Sequence, residues 1–219
     1  MKNVLLIALM VVAASFTITQ KKQKVIFFGD SLTQAGVDSG GYITVLRDKK
    51  GINENFELVG SGIGGNKIYD LYLRMEEDVL AKNPDIVVIW VGVNDVWHKQ
   101  SFGTGTDADK FEKFYLAIIR KLKERNIKVM ICTPAAIGEK TDFSNQLDGD
   151  LNKYSSIIRK IGATAQVPVI DFRKSFLEYD LLNNKENKDR GVLTSDGVHL
   201  NLVGNQFVAD KMYTALTGK

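Results

Sequence analysis

The sequence predicts an α/β fold, with a mostly parallel, five-stranded sheet covered by helices on both faces. Short, mostly apolar runs recur along the chain, as expected for strands buried on both faces. Amphipathic stretches of helical length separate these runs, which is the pattern of strand–helix–strand units. No linker, repeat or low-complexity segment interrupts the alternation, so we expect one domain over residues 25–219.

Five apolar runs are predicted to be the strands. They are rich in β-branched and aromatic residues, and the first three end at glycine. The strongest signal lies between Pro84 and Gly92. In chain order, the predicted strands are residues 25–28, 56–59, 86–91, 128–132 and 167–170.

Five other stretches show the spacing of a helix that buries one face. Apolar residues recur there every three or four positions, as Phe111, Ile118 and Leu122 do in the third stretch. In chain order, the predicted helices are residues 42–50, 67–81, 107–125, 147–164 and 202–216.

The first twenty residues have the layout of a secretory signal peptide. Lys2 gives a basic start, an uncharged apolar run follows from Val4 to Ala14, and small residues come after it. This run is shorter than the roughly 20 residues that span a bilayer. The alternative is a buried first strand or helix. We expect residues 1–20 to direct export, to the periplasm or out of the cell, without a stable membrane anchor.

Composition excludes several classes of function. The net charge is +3 and the basic residues are dispersed, so the chain lacks the concentrated basic face that binds nucleic acid. Cys132 is the only cysteine, which excludes an internal disulfide and any paired-cysteine zinc or redox motif. Two histidines, His98 and His199, do not suit a multi-histidine metal site. We therefore expect neither a metal ion nor a cofactor.

Polar residues follow the first three predicted strands, at the edge where open α/β sheets bind ligands. Ser31 comes directly after the first strand, where a tight turn at Gly29 would expose its hydroxyl. A serine hydroxyl is a good nucleophile only when a base takes its proton. Ser31 is therefore a candidate nucleophile. The alternative is a strand-ending turn in which Ser31 or Thr33 caps a helix.

His199 is the candidate base for Ser31. Asp196 precedes it by three residues across an Asp-Gly turn, so its carboxylate can bond Nδ1–H and leave Nε2 free. The alternative is a helix start that Asp196 caps, with His199 solvated. His98 follows Trp97 in a predicted loop, and we interpret it as a rim residue without a catalytic role.

An acyl-transfer site also needs hydrogen-bond donors for the oxyanion, each worth roughly 3–4 kcal/mol. The candidates are the N–H of Ser31, the N–H of Gly65 and the side-chain amide of Asn94. Glycine and asparagine after strands usually form ordinary turns, so each signal is weak alone.

Residues 60–65 also spell the GxGxxG pattern of dinucleotide sites. Such a site requires an acidic residue at the end of the next strand, but Asp85 stands at the beginning of that strand. A phosphate-binding loop fails as well, because Asn66 occupies the position of its lysine. We reject both nucleotide-binding interpretations.

Four blocks together resemble the SGNH, or GDSL, hydrolase family. Residues 29–32 match its GDSL block, residues 62–66 resemble its second block, residues 92–95 match GxND and residues 196–200 match DxxH. All four occur in the family order, from about Val25 to the C-terminus. The resemblance implies a flavodoxin-like, three-layer α/β/α fold and metal-independent ester hydrolysis.

The resemblance also implies a role for each matched residue. Ser31 is the nucleophile, served by Asp196 and His199, and the N–H groups of Ser31 and Gly65 with the Asn94 amide form the oxyanion hole. One departure is Asn66, at a place where many members have aspartate.

The expected substrate is a small ester, with acetyl groups on carbohydrate as the first candidate. Rim aromatic residues such as Trp97 and Phe102, in the predicted loop, suit a sugar, and no amphipathic lid suits interfacial lipase action. A lysophospholipase or thioesterase for longer acyl chains is the alternative within the class. A non-catalytic glycan-binding module on the same fold is the alternative outside it. The sequence does not indicate an oligomeric state.

Overall fold

The computed structural model describes residues 21–218. The predicted signal peptide, residues 1–20, lies outside the described residues. The described strands form one parallel sheet in the order β2-β1-β3-β4-β5. The strands are β1 (Gln23–Gly29), β2 (Phe56–Gly62), β3 (Ile86–Trp90), β4 (Lys128–Cys132) and β5 (Val169–Ile170).

Helices connect the strands and cover both faces of the sheet. In chain order they are α1 (Ser31–Ala35), α2 (Tyr42–Arg47), α3 (Ile52–Asn55), α4 (Ile68–Asp78), α5 (Val93–Ser101), α6 (Ala108–Glu124), α7 (Asp148–Ala165), α8 (Phe172–Asn183) and α9 (Leu202–Thr217). Each of the five predicted helices corresponds to one of these, with ends that differ by up to three residues.

The strands are mostly apolar because the sheet separates two cores. In β1, Ile26 and Phe28 face the core formed with α4, α6 and α7. Val25 and Phe27, which alternate with them, face the core formed with α2, α8 and α9. This gives three layers, α/β/α, and confirms the predicted fold class.

The structure differs from the sequence prediction in several elements. The short helix α3 was not predicted, and β5 is limited to Val169–Ile170. The segment around Trp97 and His98 is the helix α5 rather than a loop, and α8 was not predicted at all. Strand β2 continues to Gly62, through residues predicted as a turn. Glycine is needed at its end, because a Cβ on Gly62 would lie 2.1 Å from the backbone nitrogen of Gln34.

The sheet topology brings the ends of three strands together. Gly29 at the end of β1 pairs with Gly62 of β2 on one side and Trp90 of β3 on the other. The segments that follow these strands therefore leave the sheet side by side. Within residues 21–218, no helix has both the length and the apolar character required to cross a membrane.

Candidate active site

Ser31 is the first residue of α1, directly beyond the end of β1. Asp30 caps this helix: its Oδ1 accepts a hydrogen bond of 3.0 Å from the N–H of Leu32. The alternative in which Ser31 or Thr33 is the cap is therefore wrong. Because Asp30 serves as the cap, the half-buried Ser31 keeps its hydroxyl for another partner.

That partner is His199, which the fold brings to Ser31 from near the other end of the chain. Ser31 Oγ lies 2.9 Å from His199 Nε2, and His199 Nδ1 lies 2.7 Å from Asp196 Oδ2. The second carboxylate oxygen of Asp196 accepts the N–H groups of Val198 and His199, at 2.9 and 2.7 Å. One carboxylate thus fixes both the turn and the imidazole ring.

Asp196 does not cap the following helix. The cap of α9 is Asn201, whose side chain accepts the N–H of Gly204. Partial burial raises the pKa of Asp196, but the hydrogen bonds from His199 and Val198 outweigh it and hold the pKa below its ordinary value. Asp196 is therefore a carboxylate at neutral pH, able to stabilise a positive charge on the ring of His199.

The turn after β2 lies beside Ser31. The N–H of Asn66 bonds the carbonyl oxygen of Ile63 at 3.2 Å, and Gly65 takes the positive φ of 76° that the turn requires. A Cβ on Gly64 would lie 3.9 Å from that of Ser31. Among the hydrogen bonds of the described residues, none uses the N–H of Gly65. This N–H is available to a ligand at Ser31.

Two side chains hold the turn in this position. The side-chain oxygen of Gln34 accepts the N–H of Gly64 at 2.7 Å, and Lys67 Nζ donates to the carbonyl oxygen of Gly65 at 2.9 Å. The Gly64 N–H and the Gly65 carbonyl, which flank the Gly65 N–H, are thereby fixed in direction.

Asn94 lies in the first turn of α5 and is buried. Its Nδ2 donates one hydrogen bond, of 3.1 Å, to the carbonyl oxygen of Asn66. An amide nitrogen carries two hydrogens, so the second is left for a ligand. The contact links α5 to the turn that carries Gly65, and the five residues predicted for the site thus belong to one cluster.

Arg74 on α4 ties the ends of β1 and β2 to the same turn. Its guanidinium donates to the carbonyl oxygens of Gly29 and Ser61, at 2.8 and 3.1 Å, and to the side-chain oxygen of Asn66, at 2.7 Å. It also pairs with Asp78. At position 66, the asparagine side chain therefore offers Arg74 a neutral acceptor.

Two buried carboxyl groups lie beneath the site. Burial raises the pKa of Asp30 to about 7, against the opposing effects of the Leu32 N–H and of His199. Burial likewise raises the pKa of Asp95 to about 7. Asp95 Oδ1 accepts the N–H of Ile68 at 3.1 Å and so joins α5 to the start of α4.

His98 lies one helical turn beyond Asn94, at the edge of the site. A Cβ on Gly65 would lie 3.6 Å from His98 Cε1. Partial burial and then the charge of Lys67 lower the pKa of His98, which favours the neutral ring. The exposed ring of Phe102 packs edge-on against it, with centroids 4.9 Å apart. Both residues lie at the edge of the site, and His98 is carried by a helix instead of the predicted loop.

A groove of about 500 Å³, lined by both polar and apolar residues, extends from Asp196 between α5 and the segment after β4. Its lining includes Trp97, Lys140, Asn145 and Gln146. The exposed amide of Gln146 can hydrogen-bond to a sugar and the indole ring of Trp97 can stack on one, whereas the amide of Asn145 is already bonded to Lys140 and Asp148. Within the described part of the chain, no three His, Cys, Asp or Glu side chains come together in a way that would hold a metal ion.

Sequence reasoning missed Gln34, Lys67 and Arg74. Their partners are mostly backbone groups brought close by the fold, and the residues carry no motif of their own. The spacing of Gln34, one turn after Ser31 on the same short helix, is the only local signal that points to any of them.

Comparisons with known proteins agree with this geometry. The family model for the GDSL-like Lipase/Acylhydrolase family matches residues 27–207. The solved structure of an acetyl xylan esterase, AlAXEase, is 67% identical with a TM-score of 0.87, and the match covers 88% of this chain and 99% of that one.

Two further relatives are more distant. An acetylxylan esterase of Geobacillus stearothermophilus is 25% identical over 206 residues, which cover 85% of this chain and 90% of the relative. An isoamyl acetate-hydrolyzing esterase 1 homolog of Rattus norvegicus is 24% identical over 215 residues, covering 90% and 82%.

The fold and these relatives together define a serine hydrolase that acts on ester bonds. The chain belongs to the GDSL-like lipase/acylhydrolase family, which confirms the resemblance seen in the four sequence blocks.

Proposed function

We propose that this protein removes acetyl groups from carbohydrate, with acetylated xylan as the substrate to test first. The named relatives share the acetyl group and differ in the alcohol, which is xylan in two names and isoamyl alcohol in the third. The groove beside Asp196 supports a sugar, because its lining combines the indole ring of Trp97 with the amide of Gln146.

The observation that carries the mechanism is the 2.9 Å contact between Ser31 Oγ and His199 Nε2. In the first step, Ser31 Oγ attacks the ester carbonyl carbon while His199 takes the hydroxyl proton. Asp196 holds the ring by Nδ1–H and stabilises the imidazolium that forms. The carbonyl electron pair moves to oxygen and produces a tetrahedral oxyanion.

The oxyanion is held by the N–H groups of Ser31 and Gly65 and by the free amide hydrogen of Asn94. When the intermediate collapses, the sugar oxygen leaves and receives the proton from His199. In the second step, His199 takes a proton from water as the water oxygen attacks the acetyl carbon. The bond from that carbon to Ser31 Oγ then breaks, His199 returns the proton to Oγ, and acetic acid leaves. Proton transfer needs no group beyond these residues.

A series of p-nitrophenyl esters tests the acyl preference. We expect the highest kcat/KM with acetate and a decline toward octanoate, together with release of acetate from acetylated xylo-oligosaccharides. A preference for octanoate over acetate would favour the lysophospholipase or thioesterase alternative. Ser31→Ala is the control and should abolish turnover of every ester.

A phosphonate that modifies active serines tests the mechanism separately. We expect one adduct, on Ser31, which peptide mass spectrometry locates. A folded protein that forms no adduct and hydrolyses no ester would instead be a glycan-binding module. An adduct on Ser31 without deacetylation of xylo-oligosaccharides would retain the mechanism and reject the carbohydrate.

Export is part of the same proposal. The basic start and short apolar run of residues 1–20 support it, and residues 25–219 then form the single hydrolase domain. Mass spectrometry of the protein purified from its native host gives the test. We expect an N-terminus between residues 15 and 21 in the extracytoplasmic fraction, whereas an intact chain from Met1 confined to the cytoplasm would contradict export.

A further inference from the structure

We propose that Glu139 is a positioning residue, which holds the Asp196–His199 turn in register with Ser31. The inference rests on the proposed roles of those residues. Glu139 lies in the segment between β4 and α7 and is only 1% exposed. A carboxylate is not buried so completely without strong hydrogen-bond partners.

The partners of Glu139 are three consecutive backbone N–H groups. Oε1 accepts from Leu193 at 2.7 Å and from Thr194 at 2.6 Å, and Oε2 accepts from Val192 at 2.8 Å. Successive N–H groups that point to one spot form an anion-binding concavity. Hydrogen bonds to a carboxylate are roughly twice as strong as those between neutral groups.

The anchored residues lead directly into the turn that carries Asp196. Thr194 Oγ1 accepts the N–H of Gly197 at 3.0 Å, so the anchored end also holds the middle of the turn. On the opposite side, the N–H of Gly138 donates to the carbonyl oxygen of Gly197 at 2.8 Å. Glu139 and its neighbour thus hold the turn both at its start and at its middle.

The turn must be held accurately because the hydrogen bond from His199 to Ser31 and the hydrogen bond between His199 and Asp196 are both short. The Ser31–His199 and His199–Asp196 distances are 2.9 and 2.7 Å, so a shift of the turn lengthens the first contact directly. The side chains of His199 and Asp196 are also 40% and 47% accessible, so packing against neighbouring side chains covers only part of their surface. Their position therefore depends on the backbone that Glu139 anchors.

Glu139→Gln tests this with almost no change in shape. The glutamine amide has only one accepting oxygen, so its NH₂ group lies against a backbone N–H that the second carboxylate oxygen of Glu139 would accept. We expect kcat for p-nitrophenyl acetate to fall roughly 10- to 100-fold, since a displacement of about 1 Å can cost up to 10²-fold, with KM within about twofold. The low-field NMR signal of the proton between His199 and Asp196 should broaden or disappear well below the unfolding temperature.

Asp180→Asn is the matched control. Asp180 on α8 is also buried, 3% exposed, and burial followed by the charge of Glu139 raises its pKa to about 7. Its carboxyl makes no hydrogen bond to residues 191–199 among the described contacts, and Oδ1 has no partner there. We expect the kcat and the NMR signal of the wild type. A purely structural role for Glu139 predicts lower stability in Glu139→Gln with kcat and the NMR signal unchanged, and that result would overturn the proposal.

Two measurements cover the case in which Glu139→Gln does not fold. Glu139→Asp keeps the charge but shortens the side chain by one methylene. If Glu139→Gln does not fold, Glu139→Asp replaces it, and we expect the same losses of kcat and of the NMR signal. In the wild type, the amides of Val192, Leu193 and Thr194 should exchange with solvent as slowly as those of β3, and fast exchange would overturn the proposal. The NMR signal and amide exchange do not require turnover, so they remain informative if the proposed esterase activity fails.

Discussion

Asn94 has one amide hydrogen bonded within the protein and one that faces the site. The bond to Asn66 holds the side chain in place, and on the proposed mechanism the second hydrogen bonds to the oxyanion, so its contribution can be measured. An oxyanion donor acts mainly in the transition state, where the charge develops. Its loss should therefore appear in kcat and hardly in KM.

We expect Asn94→Ala to lower kcat for p-nitrophenyl acetate by roughly 10²- to 10³-fold with KM little changed. Steady-state kinetics gives both constants. Asn55→Ala is the control. Asn55 is the exposed last residue of α3, the helix that precedes β2, and its side chain donates only to the carbonyl oxygen of Gly51. Equal losses in the two variants would show that the effect of Asn94 is not electrostatic stabilisation.

Asp180 gives a stability prediction with a definite pH dependence. Its pKa is raised to about 7 in the folded protein, chiefly by burial, so the folded state favours the neutral carboxyl. This preference stabilises the fold below the ordinary pKa of about 4 and is lost as pH rises through about 7. Asp180→Asn does not ionise and loses nothing over that range.

The free energy of unfolding of Asp180→Asn, minus that of the wild type, should therefore increase from pH 5 to pH 8 and then level off. Urea unfolding at four pH values measures it, and Asp30 and Asp95 cancel because both proteins contain them. Asp109→Asn, an exposed carboxylate paired with Lys113, is the control and should show little change with pH. A difference for Asp180→Asn that is constant with pH would contradict the prediction.

At the scale of elements, Arg74 connects α4 to the ends of β1 and β2. Its side chain is mostly buried and its donors reach Gly29, Ser61 and Asn66 in different directions. A planar guanidinium can serve several acceptors at once, whereas the ammonium of lysine is a single point of charge. Lysine at this position therefore leaves some of the carbonyl oxygens without a donor.

We expect Arg74→Ala to lower the free energy of unfolding by about 2–4 kcal/mol, and Arg74→Lys to recover less than half of it. Arg125 is the control: it also pairs with an acidic residue, Glu76, but both side chains are exposed. Arg125→Ala should cost less than about 1 kcal/mol. Similar losses at the two arginines, measured by urea unfolding, would contradict the assigned role of Arg74.

The elements that the sequence predicted are those in which burial and hydrophobicity coincide. In α8 they do not: Arg173 and Asp180 are buried, while Leu181 and Leu182 are exposed, so the helical pattern is absent. In α5, Asn94 and Asp95 are buried because they serve the site and its support. Both helices were missed for this reason.

Some residues of the candidate site could be found from the sequence, and others only from the structure. Ser31, Asn94, Asp196 and His199 lie in short blocks whose spacing carries their chemistry, so the sequence was enough to select them. Glu139 is defined by N–H groups more than fifty residues further along the chain. Such a contact leaves no local pattern, and only the folded chain reveals it.

At the scale of the molecule, the two cores share one sheet and should unfold together. Trp90 is buried in the core with α2 and α8, where its ring lies 4.6 Å from that of Phe172. Trp97 packs against the opposite core. Because these are the two tryptophans of the chain, each can report on one face.

We expect Trp97→Phe and Trp90→Phe each to show a fluorescence transition that coincides in urea midpoint with its own far-ultraviolet circular dichroism. Coincident transitions are the sign of one cooperative unit, as predicted for residues 25–219. Circular dichroism of the wild type provides the reference. Separate midpoints in either variant would divide the chain into two units and contradict the single-domain prediction.

The Ser31–His199 contact joins positions 168 residues apart. A nascent chain therefore carries its nucleophile through most of translation with no base beside it. On the proposed mechanism, the chain cannot hydrolyse esters in the cell until its last segment has left the ribosome and packed against the rest of the fold. Premature termination before residue 199 yields the same inert product, even where every strand of the sheet has been made.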